Sequence, residues 1–155
     1  TNYFILETAS TGMIFSALSQ CNTARTSGFN VELVVLDINS TFESDEVFQK
    51  IVKQKIIFPS LTKYQETPES IRFASNYKKI NNVNPNQYAI RGFDVVFDTM
   101  LRLSQAESFE QTIQNTATEG VENKFDYEKK LASGYTNKGV YIMYYDEDLT
   151  VKTAE

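Results

Sequence analysis

Three short apolar runs alternate with two helical patterns in the first 60 residues, and this alternation limits the possible folds more than any other feature. The runs are YFIL at 3–6, VELVVL at 31–36 and KIIF at 55–58. Between them, apolar residues recur at helical spacing, first from Met13 to Ala24 and then from Val47 to Val52. Strands that alternate with helices are typical of parallel neighbours joined by right-handed crossovers. The sequence therefore predicts an α/β fold with a three-layer, doubly wound and mostly parallel sheet.

The second half of the chain predicts two further helices. Thr67-Pro68-Glu69 combines a cap, a first-turn proline and a first-turn acid, which indicates a helix start. The run NPNQYAIRGFDVVFDTMLRL at 84–103 follows, with its polar residues on one narrow face. Its apolar residues extend so far around the helix axis that a single sheet cannot cover them. We therefore expect two packing partners for this helix.

The end of the chain predicts a short helix and a pair of strands. Phe109 and Ile113 have helical spacing, while 121–127 and 139–146 alternate as strands do. The turn-rich GYTNKG at 134–139 lies between these two segments. The sequence therefore predicts that 121–127 and 139–146 pair as an antiparallel hairpin.

Composition and charge limit the classes of function that are possible. The 155 residues are 41% hydrophobic and 23% charged, as in one globular domain with a core. A net charge of −5 argues against nucleic acid as a partner, because phosphate binding needs clustered cations. No run approaches the roughly 18 apolar residues of a membrane span. A strand that begins almost at once, without a starting Met, favours a segment of a longer polypeptide or a processed chain.

Histidine, the residue type used in most catalytic sites, is missing. The chain has no histidine, which removes the usual general base, the serine and cysteine triads and most zinc sites. Its acids stand at capping, helical and turn positions, where we interpret them as solvated charges. The single Cys21 has no internal disulfide partner. We therefore expect no enzyme, no metal and no cofactor.

The loop after the first run, ETASTGMI at 7–14, invites comparison with phosphate-binding loops. It lacks the second glycine and the Gly-Lys pair of a Walker A loop. Ala9 and Ile14 stand where a flavodoxin phosphate loop has hydroxyl residues. Helix capping is therefore the preferred interpretation, and a flavodoxin-like cofactor domain is kept as an alternative.

Polar residues follow each predicted strand. In open α/β sheets, ligands bind beyond the carboxyl ends of the strands, and here three loops qualify, 7–11, 37–40 and 59–64. All three are rich in hydroxyls and carboxylates that suit a small polar solute. The alternative interpretation is that these residues only cap helices and form turns.

The order of these features resembles the later part of the type I periplasmic-binding-protein fold, the family of branched-chain amino-acid receptors. The resemblance spans nearly the whole chain and depends most on the run P-x-x-Y-A-x-x-G-F-D at 85–94 and on the closing hairpin. It is strongest with a cell-envelope branch that often carries LysM peptidoglycan-binding repeats. It implies a single partial domain, 1–155, in which 1–64 and 121–155 belong to the second lobe. The helices of 65–120 would belong to the first lobe, whose strands lie upstream of Thr1.

The resemblance also implies a function and a location. It implies a non-catalytic module of the periplasm or cell envelope that binds a small polar solute such as an amino acid. The candidate contacts are Glu7, Thr8, Ser10, Asp37, Asn39, Ser60 and Tyr64. The partner expected to cover the helices is the missing first lobe or a second copy of the chain, for example a homodimer with exchanged helices. The alternative is a protein-interaction scaffold that lies beside LysM repeats and no longer binds solute.

Overall fold

The fold is described from a computed structural model of the chain, which describes residues 1–42, 44–64, 66–113, 117–130, 134–146, 148 and 150–154. The elements are β1 (Asn2–Leu6), α1 (Thr11–Thr26), β2 (Val31–Val35), α2 (Asp45–Lys53), β3 (Ile57–Ser60), α3 (Pro68–Asn81), α4 (Gln87–Gln105), α5 (Phe109–Thr112), β4 (Thr118–Glu119), β5 (Lys124–Phe125), β6 (Tyr127–Lys130), β7 (Gly134–Asn137), β8 (Tyr141–Tyr145) and β9 (Val151–Thr153). Parallel strands alternate with helices, and an antiparallel hairpin closes the chain. The predicted α/β class is confirmed.

The chain divides into two compact units. The sheet unit comprises Thr1–Ser60 and Ile142–Glu155, and the helix unit comprises Leu61–Tyr141. The assignment of 1–64 and 121–155 to one lobe of a larger fold, and of 65–120 to another, stays a prediction.

The sheet unit contains a five-stranded sheet in the order β1-β2-β3-β8-β9. β1 and β2 pair in parallel with Leu6 opposite Val35, and β2 and β3 pair in parallel with Val34 opposite Ile57. β8 and β9 form the antiparallel hairpin. Because β1, β2 and β3 run in the same direction, their carboxyl ends lie at one edge of the sheet.

Helices α1 and α2 pack on the same face of this sheet. They share one apolar cluster with the strands, made of Leu6, Ile14, Ala17, Leu18, Cys21, Leu33, Val35, Phe42, Val47, Ile51 and Ile56. Each fully buried aliphatic side chain of this kind stabilises the fold by roughly 1.5–3 kcal/mol. Strand residues alternate between faces, so Tyr3 and Ile5 point to the opposite face, where they are 63% and 62% exposed.

The helix unit has an unusual distribution of apolar residues. α3 has no buried residue, and the buried residues of α4 are Asp94, Asp98 and Arg102. Most apolar residues of α4 are exposed, for example Val96 at 57% and Met100 at 66%. α4 thus packs its polar side against its own unit and leaves its apolar side in solvent.

Two predicted strand assignments are wrong. GYTNKG was expected to be a connection, but it contains β7, which pairs antiparallel with β6. β8 pairs with β9 instead of with 121–127. The strand predicted at 55–58 begins only at Ile57, because Lys55 adopts a left-handed backbone with φ 49° after the end of α2.

Candidate functional site

The loops that follow β1 and β2 are joined by hydrogen bonds at the carboxyl edge of the sheet. The Asn39 side-chain amide donates to the carbonyl of Thr8 at 3.3 Å, and the Thr41 hydroxyl donates to the carbonyl of Ala9 at 3.2 Å. The Asn39 side-chain oxygen also accepts from the Thr41 N–H at 3.1 Å, which folds the second loop into an Asx turn. Two of the predicted contacts, Thr8 and Asn39, are therefore in direct contact.

Three more predicted residues lie at the same edge. Leu36 N–H donates to the Leu6 carbonyl at 3.2 Å, so Glu7 and Asp37 leave neighbouring strands side by side. Both residues are exposed. Because Val34 pairs in register with Ile57, Ser60 lies at the level of Asp37. The edge therefore carries two exposed carboxylates beside a hydroxyl.

Ser10 occupies the N-cap of α1. Its own N–H donates to the Thr8 hydroxyl at 3.1 Å, while its side chain makes no capping hydrogen bond. The first turn of α1 contains no acidic residue. The N–H groups of this turn and the Ser10 hydroxyl are consequently available to an anionic group, which the helix dipole also favours.

Tyr64, the seventh predicted contact, belongs to the helix unit. It is exposed and lines an open cavity of about 210 Å³. The other lining residues are Thr62, Lys63, Glu66, Ser70, Gln87 and Glu122. Nothing in the helix unit by itself relates Tyr64 to the six residues of the sheet unit.

A buried carboxylate that the sequence analysis missed holds the helix unit together. Asp94 is fully buried, and its carboxylate accepts the N–H groups of Val121, Glu122 and Asn123 at 2.7, 3.0 and 3.0 Å. Consecutive N–H groups around an anion form a backbone nest, which compensates the charge. The acids of this chain were interpreted as solvated, and for Asp94 that interpretation is wrong.

Asp98 and Arg102 extend this buried polar face by one and two turns. Arg102 Nε donates to both carboxylate oxygens of Asp98, at 3.1 and 2.9 Å, and Asp98 also accepts from the Thr118 hydroxyl. The guanidinium donates further to the Thr112 carbonyl at 3.0 Å and lies 5.0 Å from the Tyr127 ring centre. The only sequence signal for this network was the spacing of Asp94, Asp98 and Arg102 by four residues.

Three groups near this polar network have raised pKa values, and burial is the largest cause for each. Burial, and then the charge of Asp94, raises the pKa of the Glu122 carboxyl. Burial, and then the carboxylates of Glu119 and Asp94, raises the pKa of Tyr141 to about 12. Burial is also the main cause of the raised pKa of Tyr127, to which Asp98 adds. In each case the shift favours the neutral form of the group.

The described residues contain no group of three or more histidine, cysteine or acidic side chains that could hold a metal ion. Within the same part of the chain, no helix combines the length and the hydropathy that a membrane span requires.

No protein-family profile matches the chain, and no curated protein is significantly similar to it. Among solved structures, the leucine-binding protein LivK of Thermotoga maritima is 13% identical, with a TM-score of 0.41, and the match covers 99% of this chain and 43% of that one. The branched-chain amino-acid transporter substrate-binding protein LivJ of Streptococcus pneumoniae, in complex with isoleucine, is 18% identical, with a TM-score of 0.41 and coverage of 99% and 44%.

An extracellular ligand-binding receptor of Desulfohalobium retbaense is 14% identical, with a TM-score of 0.35, and the match covers all of this chain and 27% of the receptor. The chain thus spans less than half the length of these structures. Likenesses of this size do not assign the chain to a family.

Proposed function

We propose that this chain is a non-catalytic binding module that holds a small polar solute, such as an amino acid, at the carboxyl ends of β1, β2 and β3. The observation that carries the proposal is the hydrogen-bonded pair of loops, with Asn39 bound to Thr8, beside the exposed carboxylates of Glu7 and Asp37. A preformed pair of loops with unused charges provides the few fixed polar groups that a small-molecule site needs.

The charges at this edge match the two ends of an amino acid. An ammonium group pairs with Glu7 or Asp37 through charge-assisted hydrogen bonds. The carboxylate of the solute lies at the N-terminus of α1, where Ser10 has a free hydroxyl and the first turn has no acid. Ser60 supplies a further hydroxyl in this proposal.

Isothermal titration with a panel of amino acids tests the proposal. The double variant Glu7→Gln/Asp37→Asn should weaken binding by about tenfold or more, because each charge-assisted hydrogen bond contributes roughly 1.5–3 kcal/mol. The matched control is Glu46→Gln, an exposed acid on α2 that forms only a surface ion pair with Lys50. If no amino acid binds, or if the double variant binds as the natural chain does, the proposed solute site is wrong.

A second candidate function is a protein-interaction scaffold in the periplasm or cell envelope, beside LysM repeats and without a bound solute. The exposed apolar residues of α3 and α4 favour it, because a large contiguous apolar surface marks an interaction site. The surface would be covered by a first lobe or by a second copy of the chain. The calorimetric titration with amino acids distinguishes the two functions. A solute-binding module releases or absorbs heat with an amino acid, whereas a scaffold that associates through these helices does not.

A further inference from the structure

β1 is an outer strand of the five-stranded sheet, and one of its two sides has no neighbouring strand. Among the described strands, β1 pairs only with β2. The Asn2 N–H donates to the Asn30 carbonyl at 2.9 Å, so residues 2, 4 and 6 direct their N–H and C=O groups towards β2. The N–H and C=O groups of Tyr3 and Ile5 therefore point away from the sheet. This side of the strand is named the outer edge of β1.

The outer edge of β1 lacks the features by which proteins prevent strand addition. Free edges are normally protected by charged side chains, proline or a bulge, and otherwise accept a further strand. The other outer strand, β9, carries Lys152 at its centre, where it forms ion pairs with two acids. β1 has no charge and no proline, and its central residues Tyr3, Phe4 and Ile5 are exposed. The backbone groups at this edge are those that another extended strand would satisfy.

The side of α1 above this edge is also uncharged. α2 lies towards β8, and Lys50 of α2 lies 3.8 Å from the Phe15 ring centre, so Phe15 marks the side of α1 that faces α2. At about 100° per residue, Met13 lies on the opposite side, towards the outer edge of β1, with Ser16 and Gln20 near it. All three are exposed. Charged residues are depleted in the centres of interfaces, so this surface suits contact with another protein surface.

The backbone of β1 is complementary to a second copy of itself. When two β1 strands meet antiparallel with Phe4 on the two-fold axis, Tyr3 of each copy lies opposite Ile5 of the other. Both pairs are then hydrogen-bonded pairs, so the outward N–H and C=O groups of both residues are satisfied. Phe4 forms the non-hydrogen-bonded pair on the axis. Its ring lies on the α1 face, because it shares that face with Leu6 of the core.

The size and spacing of this contact fit a dimer. The exposed parts of β1 and of the uncharged side of α1 present on the order of 800 Å² per copy, about the area that each partner of a standard interface buries. α1 packs on both β1 and β2. With strands about 4.8 Å apart, the two α1 helices would lie about 10 Å apart, at the upper end of normal helix-packing distances.

We propose that two copies of this chain form a two-fold dimer in which β1 pairs antiparallel with β1 and the two five-stranded sheets become one. The contact joins the same surface on both copies, so it closes after two chains. The chain passes between its two units only at the end of β3 and the start of β8, which β2 separates from β1. The dimer rests on the sheet unit alone and not on the proposed solute site.

Sedimentation equilibrium tests the proposal first. The natural chain should approach twice the mass of one chain as its concentration is raised to the order of 100 μM. Ile5→Pro removes an outward N–H and leaves the hydrogen bonds to β2 intact, as proline on an edge strand does. It should therefore raise the dimer dissociation constant by about tenfold or more, as expected when the outward hydrogen bonds are lost. Circular dichroism verifies that the variant is folded.

Charge exchange at Phe4 is the decisive experiment. Phe4→Lys and Phe4→Glu each place two like charges against each other on the two-fold axis, so each alone should weaken the dimer by about tenfold or more. Mixing the two variants should restore a dimer with one copy of each. Ile142→Lys is the matched control, because Ile142 of β8 in the same sheet is 43% exposed, compared with 47% for Phe4. It should leave the dimer unchanged.

Phe4→Cys provides a readout that needs no charge. Residues of a non-hydrogen-bonded pair have Cα atoms about 4.5 Å apart, a separation that a disulfide can span, so oxidation should link the two copies. Ile5→Cys faces Tyr3 of the other copy and should not link, and the natural Cys21 is buried. A natural chain that stays monomeric, a dimer that Ile5→Pro and Phe4→Lys leave intact, or a mixture of the charged variants that stays monomeric would overturn the proposal.

Discussion

The carboxylate of Asp94 occupies the space beside Gly120 in which any other residue would carry its side chain. A Cβ atom at Gly120 would lie 2.4 Å from the carboxyl carbon of Asp94. Asp94 cannot move away, because it is fully buried and bound by three backbone N–H groups. The close approach of α4 to the segment 118–123 therefore requires glycine at position 120.

We expect Gly120→Ala to destabilise the helix unit by about 1–3 kcal/mol, the usual cost of an added methyl group in a packed interior. Urea unfolding followed by circular dichroism measures the effect. Gly92→Ala is the matched control, because Gly92 lies within α4 with no atom within 4 Å of its would-be Cβ. That substitution should stabilise the chain by up to about 1 kcal/mol through helix propensity. Equal stabilities of the two variants would contradict the prediction.

Asp94→Asn should cost about 2–3 kcal/mol of unfolding free energy. The amide has one acceptor oxygen and no charge, so it cannot satisfy the three N–H groups of 121–123, and unpaired buried donors carry a desolvation penalty. Asp126→Asn is the control, because the side chain of Asp126 makes only a surface ion pair with Lys138 at 3.9 Å. Denaturant midpoints of the two variants give the comparison. Similar losses in both would mean that the backbone nest contributes no special stability.

Glu122→Gln should stabilise the chain at neutral pH. The pKa of Glu122 is raised by burial and then by Asp94, so the folded state binds its proton more tightly than the unfolded state. The stability contributed by that proton is present at acidic pH and is lost as the pH rises through the folded pKa. The gain from Glu122→Gln should therefore shrink as the pH is lowered. Thermal melts across a pH series check this against Glu128→Gln, an exposed acid on β6.

Tyr141 should make the fold sensitive to alkaline pH. Its pKa is about 12 in the folded chain, chiefly because it is buried, compared with about 10 for a free tyrosine. The folded state disfavours the phenolate, so stability is lost as the pH rises from about 10 towards 12. Tyr141→Phe should abolish this part of the loss, while Tyr88→Phe, at a residue 71% exposed, should not. Unfolding midpoints in an alkaline series distinguish the two variants.

The sequence predicted those parts of the fold that depend on local signals. Thr67 caps α3 through a reciprocal pair of hydrogen bonds with Ser70, and the helix begins at the proline that marked it. The parallel order of β1, β2 and β3 followed from their alternation with helices. It also placed Glu7, Asp37 and Ser60 at one edge, although the bond between Asn39 and Thr8 depends on loop backbones that no sequence pattern specifies.

Features that depend on tertiary context were not predictable. The strands β6 and β7, YEKK and GYTN, are short and polar, so their pairing leaves no apolar alternation to detect. The spacing of Asp94, Asp98 and Arg102 shows that they share a helix face, but it does not show which side the neighbouring chain occupies. The polar face of α4 therefore looked like a solvent-facing surface, although it is the packed one.

The inward-facing polar side of α4 also restricts how the length of this chain can vary during evolution. A single residue inserted between Asp94 and Arg102 would rotate the rest of the helix by about 100°. If the insertion falls between Asp98 and Arg102, Arg102 loses Asp98 and Thr118, and an aliphatic neighbour takes its position in the polar network. Insertions and deletions are consequently tolerated only in the connections on either side of this helix, whose internal register has to be inherited unchanged.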